Sequence, residues 1–315
     1  MDSTIRPDGV VVGLDPSPDS RQALAWAVGR ATAWGAPLHL VAARSPESKD
    51  GWDHDHQDSR PMNQLHRQRL EQARAKVLAE HPDLYVSVSS TNRFPAAALV
   101  TASRVSRLVV LGSHGDSMLR WSLGSTAHQV AIHAACPVAV VRPERDTPRG
   151  SVLVGIDRFD DLGALRWAAA DADATGSDVL AVHVWQRDPS GSGRDRSQAA
   201  GALDSTVADV AREFPDVKIR GEVLSGGVTR TLLAQAAEHD LVVLGARGGG
   251  GFADLTLGPR RGRGAVALRR HGGRDPLTTT RRHPARRGSP RSRTRAAARS
   301  RNGRCGRRAR RPSRP

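Results

Sequence analysis

Two short stretches of sequence decide the fold of this chain: GVVVGLDP at residues 9–16 and LVVLGSHG at residues 108–115. Each contains an uninterrupted apolar run that ends in glycine, which is typical of a parallel strand covered on both faces. Both stretches recur about 140 residues further along, as GSVLVGID at 150–157 and LVVLGARG at 241–248. One unit therefore occurs twice, and 315 residues are enough for two domains with separate cores.

Predicted strands alternate with predicted helices through both units. The apolar runs predict five strands in the first unit, at 10–12, 38–41, 86–88, 108–111 and 138–141. They predict four strands in the second unit, at 152–154, 179–184, 217–223 and 241–244. This alternation predicts an α/β fold made of two tandem open parallel five-stranded sheets with helices on both faces, of which the second is incomplete.

The second unit breaks off where the first continues. After LGST at 123–126, the first unit runs through a helical stretch into the apolar run CPVAVV, whereas LGPR at 257–260 leads into arginine-rich sequence. We therefore predict domains at 1–145 and 150–258, the second lacking its last helix and strand, and a disordered tail at 259–315. Without a last strand, the strand at 241–244 would be an uncovered apolar edge, which favours aggregation.

The net charge of +16 comes from the tail. Residues 259–315 hold 21 of the 48 basic residues, all of them arginine, and one of the 32 acidic residues. The rest of the chain holds 27 basic and 31 acidic residues, so it is mildly acidic and gives no support to nucleic-acid binding. Arginine, glycine, proline and alanine without lysine are what GC-rich codons encode out of phase. We hypothesise that the tail is an out-of-frame translation that begins near Gly258.

The sequence predicts no membrane segment, no disulfide framework and no metal site. The N-terminus has no apolar stretch, and no run approaches the length of a membrane span, so we expect no signal peptide and no membrane contact. Cys136 and Cys305 predict no disulfide framework, which suits the cytoplasm. We interpret Cys136 as a small buried residue, and Asp53-His54-Asp55-His56 as a solvated loop rather than a metal site.

The candidate binding site lies at the carboxyl ends of the predicted strands. In an open parallel sheet, ligands bind there, at the point where the strand order reverses. Asp15 follows the first strand, and Gly112-Ser113-His114-Gly115 follows the fourth. Gly124-Ser125-Thr126 begins the next helix, where backbone N–H groups and hydroxyls can bind phosphate. The pattern predicts a nucleotide site, although turns and helix caps alone would explain each residue taken singly.

The combination of VVVGLD, LVVLGSHG, LGST and CPVAVV resembles the universal stress protein family, in its tandem two-domain actinobacterial form. The nucleotide signature of that family is G-x2-G-x9-G-[S/T]. Gly245, Gly248 and Gly258 match its spacing, but Pro259 stands where the family has Ser or Thr. In the first copy, Gly112, Gly115, Gly124 and Ser125 match in type with one residue too few in the loop.

The resemblance implies that each copy binds ATP. An acidic residue after the first strand would contact the adenine or ribose, a backbone position near the end of the second strand would contact the base, and the glycine loop would hold the phosphates. Carried over to the first copy, the site residues are Gly13, Asp15, Val41, Gly112, Ser113, His114, Gly115, Gly124, Ser125 and Thr126. In the second copy they are Gly155, Asp157, Val182, Gly245, Ala246, Arg247, Gly248, Gly249, Gly250, Gly251 and Gly258.

The resemblance also implies a role. Such a protein would be a cytoplasmic, nucleotide-dependent regulator in stress or dormancy responses and not an efficient enzyme, because no nucleophile triad, metal pair or general base is visible. Family members commonly pair through their last strand, which implies a homodimer through residues 138–141. The alternatives are a nucleotide-free interaction module, an enzyme of a related nucleotide fold, and nucleic-acid binding by the tail.

Overall fold

The computed structural model describes residues 5–43, 60–113, 124–142, 149–160, 162–186, 195–245 and 264–268. The chain divides into two compact units, 1–281 and 282–315, and every described residue lies in the first. Among the described residues, no helix has both the length and the apolar character needed to cross a bilayer.

The first copy follows the predicted alternation. Its elements are β1 (Val10–Gly13), α1 (Pro18–Trp34), β2 (Leu38–Ala43), α2 (Arg60–Glu80), β3 (Val86–Thr91), α3 (Pro95–Ala102), β4 (Leu108–Gly112), α4 (Ser125–His133) and β5 (Val138–Val141). The second copy repeats this order over a shorter length: β6 (Ser151–Gly155), α5 (Gly163–Thr175), β7 (Asp178–Trp185), α6 (Arg196–Glu213), β8 (Ile219–Ser225), α7 (Val228–Ala236) and β9 (Leu241–Gly245). The α/β class and the shorter second copy are confirmed.

Helix α1 shows why these segments fold locally as they do. Ser17 is its N-cap, and the Ser17 side chain accepts a hydrogen bond from the Ser20 backbone N–H at 3.2 Å. Gly35 ends the helix in the left-handed conformation, with φ of 59°. Ala23, Ala27 and Ala31 are fully buried along one face, so the helix can approach the sheet closely.

The core lies in two layers, one on each face of the sheet. Val10 and Val12 of β1 belong to the layer beneath α1, α2, α5 and α6, whereas Val11 belongs to the layer beneath α3, α4 and α7. All three valines are fully buried. This burial on both faces explains the uninterrupted apolar runs, because successive side chains of a strand point to opposite faces.

A tenth strand corrects one prediction. β10 (Gly264–Leu268) lies between β5 and β9, parallel to β9 and antiparallel to β5. The described strands therefore form one sheet in the order β3-β2-β1-β4-β5-β10-β9-β6-β7-β8. The prediction that the second copy lacks a last strand is wrong, because residues 264–268 take that place. The rest of the predicted tail, and the segment expected to hold the last helix, lie outside the described residues.

The register shows that β10 is the counterpart of β5. Val138 pairs with Val109 of β4, and Ala265 pairs with Val242 of β9. Since β4 and β9 both read LVVLG, Ala265 holds the place of Val138, and each later residue of β10 holds the place of the next residue of β5.

The two copies are related by a pseudo-twofold axis. In the antiparallel pairing of β10 with β5, Val266 lies opposite Ala139, and these two residues correspond in the two copies. Two corresponding strands that pair antiparallel with corresponding residues opposite each other are related by a twofold rotation. The centre of the sheet is thus a two-copy assembly built within one chain.

This pairing overturns two further predictions. β5 is bonded to β4 on one side and to β10 on the other, so a homodimer through residues 138–141 has no free edge to use, and that prediction is wrong. β9 is likewise paired with β6 and β10, so the strand predicted to be an exposed apolar edge is covered. The edges of the described sheet are β3 and β8.

On one face of the sheet, α1 and α5 pack together across the centre. Arg30 Nε lies 2.8 Å from Asp171 Oδ1, and the Asp171 side chain is fully buried. The Trp34 and Trp167 rings meet edge to face at 6.0 Å, and the Arg107 guanidinium lies 4.5 Å from the Trp34 ring. A buried ion pair within an aromatic cluster therefore joins the two copies.

Removing β10 tests the sheet. We expect a chain that ends at Gly258 to unfold at a lower temperature than the full chain, by about 2–4 °C for each kcal/mol of lost pairing, and to self-associate through the freed edges of β5 and β9. A chain that ends at Arg281 keeps β10 and is the matched control. Thermal unfolding and light scattering give the comparison. A chain ending at Gly258 that keeps the full chain's unfolding temperature and mass per particle would contradict the assignment of β10.

The buried carboxyl of Asp171 predicts a pH dependence of stability. Burial raises the pKa of Asp171 to about 6, against the attraction of Arg30 and Arg107. The usual pKa of an aspartic acid side chain is about 4, so between about pH 4 and pH 6 the folded state holds a proton that the unfolded chain has lost. The free energy of unfolding therefore falls through this window as the pH rises, by up to about 3 kcal/mol.

We expect Asp171→Asn to flatten this part of the pH profile, because an amide does not titrate. Urea unfolding between pH 4 and 7 measures the profile. Asp173→Asn, at an exposed position on the same helix, is the control and should leave the profile unchanged. A profile that keeps its slope in Asp171→Asn would show that other groups cause it.

Candidate functional site

The candidate site is the crevice between the ends of β1 and β4. From β1 the chain builds outward to β2 and β3, then returns to place β4 and β5 on the other side of β1. The strand order reverses between β1 and β4, and in an open parallel sheet such a point, at the carboxyl ends of the strands, is where ligands bind. The second copy has the same arrangement between β6 and β9.

Asp15 is held in a tight turn beside this crevice. Asp15 Oδ1 accepts two hydrogen bonds, one from the Ser17 backbone N–H at 2.9 Å and one from the Ser17 hydroxyl. The Asp15 backbone N–H donates to the Ser20 hydroxyl at 3.0 Å. The residue is exposed, so the turn presents an oriented carboxylate to solvent at the end of β1.

The backbone of Val41 lies next to this turn. Gly13 and Val41 are register partners, and the Val41 carbonyl accepts a hydrogen bond from the Leu14 N–H at 2.8 Å. The Val41 side chain is buried, with 5% exposed. The end of β2 therefore lies beside the Asp15 turn.

Gly112 lets the start of α1 approach the end of β4. A Cβ atom at Gly112 would lie 2.9 Å from the carbonyl carbon of Asp19, closer than real Cβ contacts. Only glycine therefore fits between β4 and the first turn of α1.

Ser113 is fully buried, and its hydroxyl donates to Asp19 Oδ2 at 2.8 Å. The Ser113 backbone N–H donates to the Val141 carbonyl at 2.9 Å. The Ser113 side chain therefore contacts the start of α1, within the loop for which the family resemblance implies phosphate binding.

Arg142 and Asp19 are charged residues near the crevice that sequence reasoning did not single out as site residues. Arg142 directly follows β5 and is 8% exposed. Burial lowers the pKa of Arg142, and the carboxylate of Asp19 opposes that effect. Asp19 stands in the first turn of α1.

The start of α4 returns to the end of β4. Gly124 is the N-cap of α4, and its backbone N–H donates to the Ser113 carbonyl at 3.0 Å. Ser125 and Thr126 form the first turn, with Ser125 exposed and Thr126 half-buried. The first turn of a helix has N–H groups without helical partners, and these favour anions. His114 and Gly115 lie outside the described residues.

The second copy keeps the framework of the site. Gly155 and Val182 are register partners, and the Val182 carbonyl accepts a hydrogen bond from the Ile156 N–H at 2.8 Å, as in the first copy. Asp157 is exposed after β6, and Gly245 ends β9. The remaining predicted residues of this copy lie outside the described residues: Ala246, Arg247, Gly248, Gly249, Gly250, Gly251 and Gly258.

Two aromatic rings distinguish the second crevice from the first. The Phe159 ring packs against the His183 ring with centroids 4.7 Å apart. His183 Nδ1 lies 2.9 Å from the Ile156 carbonyl, which only accepts, so Nδ1 carries the proton. Thr206 of α6 donates its hydroxyl to the Phe159 carbonyl at 3.1 Å. The loop after β6 is thus tied down by contacts of a kind different from those of the Asp15 turn.

Two other features were considered for chemistry: Cys136 and the segment Asp53–His56. Cys136 is buried, as predicted, and burial raises the pKa of its thiol to about 12. It is therefore a packing residue and not a nucleophile. The Asp53–His56 cluster lies outside the described residues, and within the described ones no group of three or more His, Cys, Asp or Glu residues could hold a metal ion.

Comparisons with known proteins agree with this architecture. The sequence profile of the universal stress protein family matches residues 8–142 and again residues 149–259. A universal stress protein of Mycolicibacterium smegmatis is 30% identical over 266 residues, covering 79% of this chain and 90% of the relative. One from Mycobacterium tuberculosis is 31% identical over 252 residues, covering 78% and 88%.

Solved structures give the same fold. A universal stress protein from Archaeoglobus fulgidus superimposes with a TM-score of 0.65 at 18% identity, covering 85% of this chain and 98% of that one. A protein from Pseudomonas aeruginosa that is assigned as a universal stress protein has a TM-score of 0.54 at 16% identity, covering 84% of this chain and 93% of that one. The two profile matches and the mycobacterial relatives show that this chain belongs to the universal stress protein family, in its tandem form.

Proposed function

We propose that this chain binds ATP, or a closely related adenine nucleotide, at the carboxyl edge of its sheet and acts in the cytoplasm as a nucleotide-dependent regulator of stress or dormancy responses. The observation that carries the proposal is one hydrogen bond, from the Gly124 N–H to the Ser113 carbonyl. It holds the start of α4 at the end of β4, the strand that pairs with β1, and Asp15 follows β1. An acidic group suited to a ribose or base and a helix start suited to phosphate then border one crevice.

Each element of the first copy has a role in this proposal. Asp15 accepts hydrogen bonds from the ribose or the base, and the backbone at Val41 contacts the base. The phosphates lie at the loop 112–115 and at the first turn of α4, residues 124–126. In the second copy the corresponding elements are Gly155, Asp157, Val182, Gly245 to Gly251 and Gly258.

The acidic residue of each copy can be tested by titration with fluorescently labelled ATP. We expect saturable binding by the unaltered chain and a loss of about tenfold or more in affinity at the altered copy in Asp15→Ala or Asp157→Ala. A hydrogen bond that involves a charged group contributes about 1.5–3 kcal/mol, and about 1.4 kcal/mol is tenfold.

Asp83→Ala is the matched control for this titration, since Asp83 is exposed and precedes β3 at the opposite end of the sheet. It should leave the affinity unchanged. If the unaltered chain shows no saturable binding, the protein is a nucleotide-free interaction module, and the proposal fails.

Gly112→Ala tests the approach of α1 to β4. The added methyl group would lie 2.9 Å from the backbone of Asp19, so the start of α1 must move and carry the neighbouring Asp15 turn with it. We expect weaker binding of labelled ATP and a lower free energy of unfolding.

Gly29→Ala on the exposed face of α1 is the control, because nothing lies within 4 Å of its added methyl group. It should keep the affinity and raise helix stability by up to about 1 kcal/mol. Equal affinities in the two variants would mean that the packing of α1 on β4 does not shape the site.

A further inference from the structure

The inference concerns the ion pair that joins α1 to α5. Arg30 stands five residues before Gly35, and Asp171 stands five residues before Gly176. Both glycines end their helices in the left-handed conformation, with φ of 59° and 69°. Arg30 and Asp171 therefore occupy corresponding positions in the two copies.

Corresponding residues meet only at a twofold axis. The axis defined by the pairing of β5 with β10 passes between α1 and α5, which pack against each other. Arg30 Nε and Asp171 Oδ1 lie 2.8 Å apart, with 18% of the arginine side chain and none of the aspartate side chain exposed. In a pairing between two like copies, Arg30 would face another Arg30, or Asp171 another Asp171.

The cost of such a like pairing follows from burial. Two like charges brought together out of water repel each other without solvent screening, and each also loses its hydration. Asp171 is already difficult to ionise at this position, where Arg30 and Arg107 are the charged groups that face it. A second buried carboxylate in place of Arg30 would force one of the two to be protonated.

We propose that the Arg30–Asp171 ion pair makes the association of the copies selective. Each copy then pairs with the other copy and not with a second copy of itself. The β-strand pairing at the centre of the sheet is made by backbone groups and cannot distinguish the copies. The charge pair on α1 and α5 supplies that distinction. The partner that fits the α1 face of copy one is therefore a universal stress protein domain with an acidic residue at the position of Asp171.

An exchange of the two charges tests this selectivity. All chains carry Arg107→Gln, because Arg107 also faces Asp171 and would oppose an arginine there. Four chains are compared by thermal unfolding and by light scattering: the parent, Arg30→Asp, Asp171→Arg, and both changes together. We expect each single change to lower the unfolding temperature by about 5 °C or more, and the double change to recover at least half of the loss.

A matched exchange provides the control. Lys218 and Asp178 form an ion pair within the second copy, with 62% and 48% of the side chains exposed. Reversing either charge there should change the unfolding temperature by no more than about 1 °C, because exposed pairs contribute little. If the chain with both changes at Arg30 and Asp171 is no more stable than the less stable single variant, the ion pair does not determine which copies associate, and the proposal is overturned.

Neutral variants keep the question answerable if the reversed chains do not fold. Arg30→Gln leaves the buried carboxylate without its partner, and Asp171→Asn leaves the arginine without its own. We expect Arg30→Gln to be destabilised, and the double neutral variant to be more stable than Arg30→Gln alone. Simple addition of the two single effects would show that the residues do not act as a pair, and would also overturn the proposal.

Discussion

The rest of the structure depends on the backbone pairing of β10 with β5 and β9. Central strands of a parallel sheet are apolar on both faces, and their N–H and C=O groups need partners on both sides. β10 satisfies one side of β5 and one side of β9 at the same time. Without it the chain would hold two sheets, each with an apolar edge. With it the described strands form one ten-stranded sheet whose edges are β3 and β8.

The two copies differ at the carboxyl ends of their strands. The first crevice is bordered by the Asp15 turn and by the start of α4. The second has the Phe159 and His183 rings in the corresponding loop and strand end. The two copies therefore differ in the side chains that hold the loop after their first strand. The charge pair on α1 and α5 adds a further difference, since it gives each copy a partner of opposite sign.

Much of the fold could be predicted from the apolar runs, and the reason is local. The run at 138–141 has the same bounds as β5, because four consecutive apolar residues rich in valine are typical of a strand buried on both faces. The run at 264–268 was missed because it is short and stands among arginines. A five-residue apolar run carries little information by itself, and only the two open edges beside it give it a place. For the candidate site, motif spacing was enough to select Asp15 and Gly124. The contact of Asp19 with Ser113 could not be predicted, because it joins residues 94 positions apart.

The sequence by itself determined the repeat, the α/β class, the position of each glycine loop after its strand, and membership of the family. These properties depend on residue type and spacing over short distances, which the chain displays directly. Only the tertiary structure decided which edges pair, which charges are buried, and whether the last strand exists. Those outcomes depend on backbone groups and side chains far apart in the chain, whose free energy is set by the partners that they find.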